Sequence, residues 1–164
     1  MSKSLLIVYH SMTGGTKEMA EAVAAGAAQE VGVVVQLRHA SEVGTAEVLS
    51  ADGYVFATPE NLAAISGVMK DFFDRTYYDV LDQVNGRPYA AMVCAGSDGH
   101  NAARQLERIA TGWRLRPIAE PLIVLTHAQS KDAIQAPKRI TEADIEACQA
   151  LGEAMASGLA MGVF

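Results

Sequence analysis

Strand-length apolar runs recur along this chain with helical segments between them, and that alternation restricts the fold more than any other feature. Leu5–Tyr9 is followed by an amphipathic stretch from Lys17 to Val31, in which Met19, Ala20, Val23, Ala24 and Ala27 recur at spacings of three and four. Val33–Leu37, Gly53–Ala57, Tyr89–Cys94 and Leu122–Leu125 read as further strands, with Thr58-Pro59 ending the Gly53–Ala57 run. A short helix or turn is expected over Thr45–Ser50, and helices over Ser66–Tyr78, Asn101–Thr111 and Thr141–Ser157, the last opened by Thr141 as N-cap. Strands this rich in Val, Ile and Leu are covered on both faces. The prediction is an α/β fold, a three-layer doubly wound five-stranded parallel sheet of strand order 2-1-3-4-5. With 164 residues, no internal repeat and no low-complexity tract, one domain over residues 1–164 is expected.

In such a sheet, ligands bind beyond the carboxyl ends of the strands, at the switch point between the first and third strands. The loops expected there are Ser11-Met12-Thr13-Gly14-Gly15-Thr16, Thr58-Pro59-Glu60-Asn61 and Ala95-Gly96-Ser97-Asp98-Gly99. The first joins a strand to a helix, so backbone N–H groups and the positive end of the helix dipole converge on it. It carries three hydroxyls and two glycines but no Lys or Arg, and Lys17 at its edge reads as an exposed first-turn residue. It lacks the Gly-Lys-Ser/Thr of a Walker loop, and GxGxxG is absent. A phosphate cradle built of hydroxyls and amides is the expectation. The second loop has polar groups for a heterocycle edge, and the third offers backbone N–H groups to a flat ring with carbonyls. A phosphate at one end and a planar, hydrogen-bonding ring at the other describe a flavin mononucleotide.

Charge and cysteine usage narrow the alternatives. Thirteen Lys+Arg against nineteen Asp+Glu leave a formal charge of −6, which argues against binding nucleic acid or an anionic membrane. Cys94 and Cys148 match no metal or disulfide spacing, so a reduced cytoplasmic protein is expected, with no metal site. Neither the N-terminal run nor the apolar stretch from Ala154 to Phe164 is built to enter a membrane. Leu159, Met161, Val163 and Phe164 are read as packing on the core, with a subunit contact as the alternative.

Single residues read mostly as structural. Cys94, ending an apolar strand, is expected to be a small core hydrophobe rather than a nucleophile, since no base accompanies it. His10 is expected to cap a strand end. His100 is the one histidine placed for proton delivery near a ring edge, while His39 and His127 read as surface residues. Glu60 and Asp98 give no glycosidase-type pair. Met69, Phe72 and Phe73 read as core. Tyr77, Tyr78 and Trp113 border either the pocket or an interface. Arg104 and Arg108, four apart, read as a solvated helix face, with the phosphate of a nicotinamide dinucleotide as the alternative ligand.

The three loops, with Ser66-Gly67-Val68-Met69-Lys70-Asp71-Phe72-Phe73-Asp74-Arg75, Gly86-Arg87-Pro88 and Cys94-Ala95-Gly96, resemble the flavodoxin superfamily, in particular its short members related to NAD(P)H-dependent FMN reductases and quinone reductases. The similarity spans roughly residues 4–126. It implies FMN binding, with residues 11–16 on the phosphate, 58–61 along the ring and 95–99 at its polar edge, and NAD(P)H as electron donor. It further implies an oxidoreductase passing electrons to a quinone or another small acceptor. The alternatives are an electron carrier serving redox-protein partners, or a binding module without flavin. A homo-oligomer is left open. Many relatives stack an aromatic residue on the flavin from the second loop; here that stretch is Leu62-Ala63-Ala64-Ile65, leaving a site open to a stacking substrate or covered by a partner subunit.

Overall fold

The computed structural model describes residues 2–164. Its elements follow in the order β1 (Lys3–Tyr9), α1 (Gly15–Ala27), β2 (Val33–His39), α2 (Thr45–Ser50), β3 (Gly53–Asn61), β4 (Ala64–Ile65), α3 (Gly67–Val80), β5 (Pro88–Ala95), α4 (His100–Gly112), β6 (Arg116–Pro117), β7 (Leu122–Leu125), α5 (Lys131–Gln135) and α6 (Glu142–Met161). The sheet runs β2-β1-β3-β5, with β6 and then β7 both pairing in parallel with β5. The expected order 2-1-3-4-5 therefore holds, its last position shared by two short strands. Register is fixed at the switch point by pairs such as Ile7 with Leu37 on one side and with Val55 on the other.

Side chains alternate between two cores, one on each face. Leu6, Val8, Tyr54, Phe56, Tyr89, Ala91 and Val93 point toward α2, α3 and α4. Leu5, Ile7, Val55, Ala57, Ala90 and Met92 point toward α1 and α6. Phe72, Phe73 and Trp113 belong to the first core as fully or nearly fully buried rings around Phe56. Trp113 is thus a core residue, and its indole N–H donates to the carbonyl of Tyr77 at 3.0 Å. Tyr78, by contrast, is 82% exposed. At the C-terminus Leu159 is core, as expected, and Phe164 packs against it, whereas Met161 and Val163 face solvent.

Two expectations need correction. Thr58-Pro59 does not end β3: the strand continues to Asn61, with Thr58 opposite Val93 and Pro59 opposite Cys94. Proline removes one donor from a ladder but leaves its carbonyl, so pairing survives. The chain then doubles back, with Glu60 and Asn61 pairing antiparallel to Ile65 and Ala64. Leu62 and Ala63 form the tip, with φ of 51° and 63°. Two successive left-handed residues are what a type I′ hairpin turn requires, but here neither is glycine. The first helix also begins earlier and ends sooner than its periodicity suggested, leaving Val31 98% exposed.

Helices α1 and α6 cross with their backbones in contact. A Cβ on Gly26 would lie 2.0 Å from the carbonyl oxygen of Gln149, and one on Gly152 would lie 2.0 Å from that of Val23. Backbone cannot give way as a side chain can, so Gly26→Ala or Gly152→Ala should destabilise the fold by about 1–3 kcal/mol or more in urea denaturation. Gly67→Ala, where an added Cβ meets nothing within 4 Å, should stay within about 0.5 kcal/mol of wild type. Equal effects at all three positions would refute the tight crossing.

Candidate functional site

A cleft of about 660 Å³ opens beyond the carboxyl ends of β1, β3 and β5, a volume in the range of small-molecule sites. The sequence-predicted loops line it: Ser11, Met12, Thr13, Gly15 and Thr16 from the first, Pro59, Glu60 and Asn61 from the second, and Ala95, Gly96 and Ser97 from the third. Leu62, Cys94 and a set of residues between β7 and α6 complete the wall.

The floor is the start of α1. Gly14 takes a left-handed φ of 110°, and no side chain caps the helix. Ser11 Oγ accepts from Gly14 N at 3.1 Å, tightening the turn. The next amides have no helical acceptor, because the first four N–H groups of any α-helix lack one. Gly15 sits where a Cβ would come 2.6 Å from Cys94 Sγ, so only glycine brings the helix start this close to β5. Thr16 is 2% exposed, and its hydroxyl is the one buried side-chain polar atom without a hydrogen-bond partner among the described residues. The Cys94 thiol beside it does not reach bonding geometry. An orphaned buried hydroxyl normally costs about 1–3 kcal/mol. One standing at an uncapped helix N-terminus fits an anion with acceptor oxygens, such as a phosphate.

The hairpin at the end of β3 forms one side wall, and α4 holds it. Glu60 Oε2 accepts from Gly99 N at 2.7 Å, Asn101 Nδ2 donates to the Ala63 carbonyl at 2.5 Å, and Ile65 N donates to Gln105 Oε1 at 2.9 Å. These bonds hold a turn whose two left-handed residues are strained by about 1–3 kcal/mol each. Leu62 at its tip is fully exposed, and Met12 and Ile134, also at the cleft, are 64% and 53% exposed.

Four residues expected at the ligand do not line the cleft. Gly14 shapes the turn from behind. Thr58 is fully buried; its hydroxyl donates to the Pro59 carbonyl and accepts from Ser66 N, so it joins β3 to the start of α3. Asp98 and Gly99 lie outside, Gly99 because its amide is engaged by Glu60. His100 also points away: its Nδ1 meets Asp98 Oδ1 at 2.5 Å, with both side chains mostly in solvent. That partner holds the Asp98 carboxyl below the usual carboxylate range. His10 is buried, its Nδ1 2.8 Å from Ser66 Oγ, and burial followed by the charge of His39 holds its pKa below the ordinary value.

The segment between β7 and α6 is the part of the site that sequence reasoning missed. Thr126, Ala128, Gln129, Ile134, Gln135 and Lys138 all reach the cleft. Short α5, capped by Ser130 Oγ accepting from Ala133 N at 3.1 Å, gives this strap its shape. The one local signal was Ser130-Lys131-Asp132, an N-cap followed by a first-turn acid. No described group of three or more His, Cys, Asp or Glu is arranged to hold a metal ion.

Comparison with known proteins gives this geometry a context. Residues 42–130 match the family model of NADPH-dependent FMN reductase. A flavodoxin of Aquifex aeolicus is 30% identical over 97% of this chain and 88% of its own length. An NAD(P)H dehydrogenase (quinone) of Acidithiobacillus ferrooxidans is 34% identical over 44% of this chain, and the match spans 46% of that protein. Among solved structures, a flavodoxin from the domain Archaea superposes with a TM-score of 0.77 at 22% identity, covering 95% of this chain and 98% of that one.

Burial raises the Cys94 thiol to about 11 and the Cys148 thiol to about 12. At pH 8 only about one Cys94 in a thousand is then thiolate, the reactive form. Native protein treated briefly with iodoacetamide at pH 8 should therefore gain no mass, while urea-unfolded protein gains two adducts. Rapid native labelling at Cys94 would refute the unreactive reading of this cleft residue.

Proposed function

The chain belongs to the NADPH-dependent FMN reductase family of flavodoxin-like proteins, and from that premise we propose that its cleft holds FMN and passes electrons from NAD(P)H to a quinone or another small acceptor. The observation that carries this reading is the unpartnered, buried Thr16 hydroxyl at the uncapped start of α1. FMN supplies the hydride and electron chemistry, and the protein supplies binding, orientation and electrostatics.

The roles of the residues follow from their places. Ser11, Thr13 and Thr16, with the first amides of α1, hold the terminal phosphate, and the helix dipole favours its charge. Pro59, Glu60 and Asn61 on one side and Ala95, Gly96 and Ser97 on the other flank the ring. Glu60 acts through Gly99, keeping the third loop in register with the hairpin. Leu62 and Met12 offer aliphatic surface where an aromatic ring would stack. No side chain need exchange a proton: His100 turns outward and Cys94 stays a thiol.

A second reading, an electron carrier serving redox-protein partners, is favoured by the flavodoxin similarity over nearly the whole chain. The quinone dehydrogenase match, by contrast, spans under half of that protein. The charge of −6 suits docking on a basic partner. In either role a cytoplasmic protein is proposed; no described helix is long and apolar enough to cross a membrane.

Titration with FMN should quench flavin fluorescence at a one-to-one end point, and no quenching would overturn both flavin readings. Anaerobic NADPH should bleach the bound flavin if the protein is a reductase and leave it oxidised if it is a carrier. Thr16→Val, which keeps the shape and removes the hydroxyl, should weaken FMN about tenfold or more, the value of a hydrogen bond to a charged group. Riboflavin, which lacks the phosphate, should be affected less than about twofold by the same criterion, and the apo protein should be no less stable. Equal losses for both ligands would remove the phosphate from this loop.

A further inference from the structure

The phosphate loop contains no cation, and two basic residues that flank it, Lys17 and Arg139, are already matched to acids. Lys17 Nζ lies 3.9 Å from Glu21 Oε1, one turn along an exposed face. Arg139 Nη1 lies 3.5 Å from Glu18 Oε1, whose other oxygen accepts from Ile140 N at 3.2 Å. Lys138 is different. Its ammonium donates to the carbonyls of Ala133, Ile134 and Ala136 at 2.6, 2.9 and 2.6 Å, and forms no carboxylate pair among the described residues. Its protons are satisfied while its positive charge is not cancelled by a negative one.

The main chain of Lys138 is fastened to the loop itself. Its N–H donates to the Thr13 carbonyl at 2.7 Å. Its carbonyl oxygen lies 3.3 Å from the position a Cβ on Gly14 would take, and its own Cβ lies 3.5 Å from the corresponding position on Gly15. Lys138 is among the residues that line the cleft. The charge is also felt there: burial raises the Cys94 thiol, and Lys138 exerts the strongest opposing pull, with Asp144 and Glu18 pushing the other way.

We propose that Lys138 supplies the positive charge for the phosphate monoester held by residues 11–16, and that the strap carrying it completes the phosphate half of the site. This rests on the FMN reading above. Because the ammonium protons go to carbonyls, the contribution is electrostatic, and the direct contacts to phosphate oxygens remain with the hydroxyls and amides of the loop. One residue therefore does two things: its carbonyl bonds shape α5, and its backbone seats the strap on the loop.

The test is fluorescence titration of wild type, Lys138→Met and Lys138→Arg with FMN and with riboflavin, at two salt concentrations. Lys138→Met keeps an unbranched stem and removes the charge. It should weaken FMN about three- to tenfold, as expected for a partly screened charge near a phosphate, with riboflavin changed less than about twofold. Its FMN affinity should also respond less to salt than that of wild type, and Lys138→Arg should restore most of the loss. Equal weakening of both flavins would show that the residue acts only by holding the strap, and unchanged FMN binding would show that its charge is irrelevant; either overturns the proposal. If wild type binds neither flavin, the FMN reading fails first and this proposal with it, whereas wild-type binding with an indifferent Lys138→Met fails this proposal alone.

Discussion

Everything about this site follows from one topological constraint: β1 and β3 are neighbours in the sheet, but the helices that follow them leave on opposite faces. Parallel strands need crossover connections, and each right-handed crossover must pack on the face that its direction of travel dictates. The chain leaving β1 turns onto the face shared by α1 and α6, and the chain leaving β3 turns onto the face shared by α2, α3 and α4. No helix can cover the line between the two strand ends. The cleft is thus a gap that the winding enforces, and Gly15 lets the start of α1 approach Cys94 at the end of β5 to form its floor. The Gly26–Gly152 crossing seats the later turns of α1 against α6.

Within the gap, the chain leaves some local interactions unmade. The start of α1 has no capping side chain, and the Thr16 hydroxyl has no partner. The hairpin tip keeps two non-glycine residues in the left-handed region. In both places the surrounding structure over-determines the arrangement: Ser11 and the Lys138 backbone fix the loop, and Glu60, Asn101 and Gln105 fix the hairpin. Unsatisfied or strained groups gathered in one concavity and held there by satisfied neighbours are what a preorganised binding site consists of. His10, Ser66 and Thr58 form the opposite case, a buried polar cluster that bonds within itself and opens α3.

The parts of this site that were legible in the sequence are those carried by local patterns. A Val/Ile/Leu run, a Ser/Thr/Gly turn and an amphipathic helix adjoin in the chain, so Ser11–Thr16 could be placed at a helix start without any long-range information. Alternation likewise gave the parallel sheet covered on both faces, and five strands at this length favoured the order 2-1-3-4-5. What escaped was set by contacts distant in sequence. Pro59 reads as a strand stop, yet β5 offers a partner that continues the ladder to Cys94. The Leu62–Ala63 turn lacks the glycine or asparagine that announces a type I′ hairpin, because its geometry is imposed by α4. The strap residues Ala128–Lys138 drew no expectation from the sequence, because long-range contacts such as the bond from Lys138 N to the Thr13 carbonyl bring them to the loop. Asp98 and His100, whose types suit a ring edge, face solvent because a backbone turn, not a side-chain pattern, decides their direction.

The two ends of the cleft differ in how they bind. At the α1 end the groups are oriented dipoles, hydroxyls and an uncancelled ammonium, all suited to a dianion. At the hairpin end Leu62 is exposed, and Met12 and Ile134 add exposed aliphatic surface along the cleft. Aliphatic walls contribute roughly 25 cal/mol per Å² of apolar area they cover, but not the additional 0.5–1.5 kcal/mol or so of an aromatic pair. A flavin held here would therefore owe a larger share of its affinity to its phosphate than one clamped between aromatic rings. Charge interactions at a partly open site weaken as salt rises, whereas apolar contact does not. The same openness that loosens the hold on the ring leaves its face accessible, so a nicotinamide, a quinone or a partner's redox centre can approach without any lid having to move.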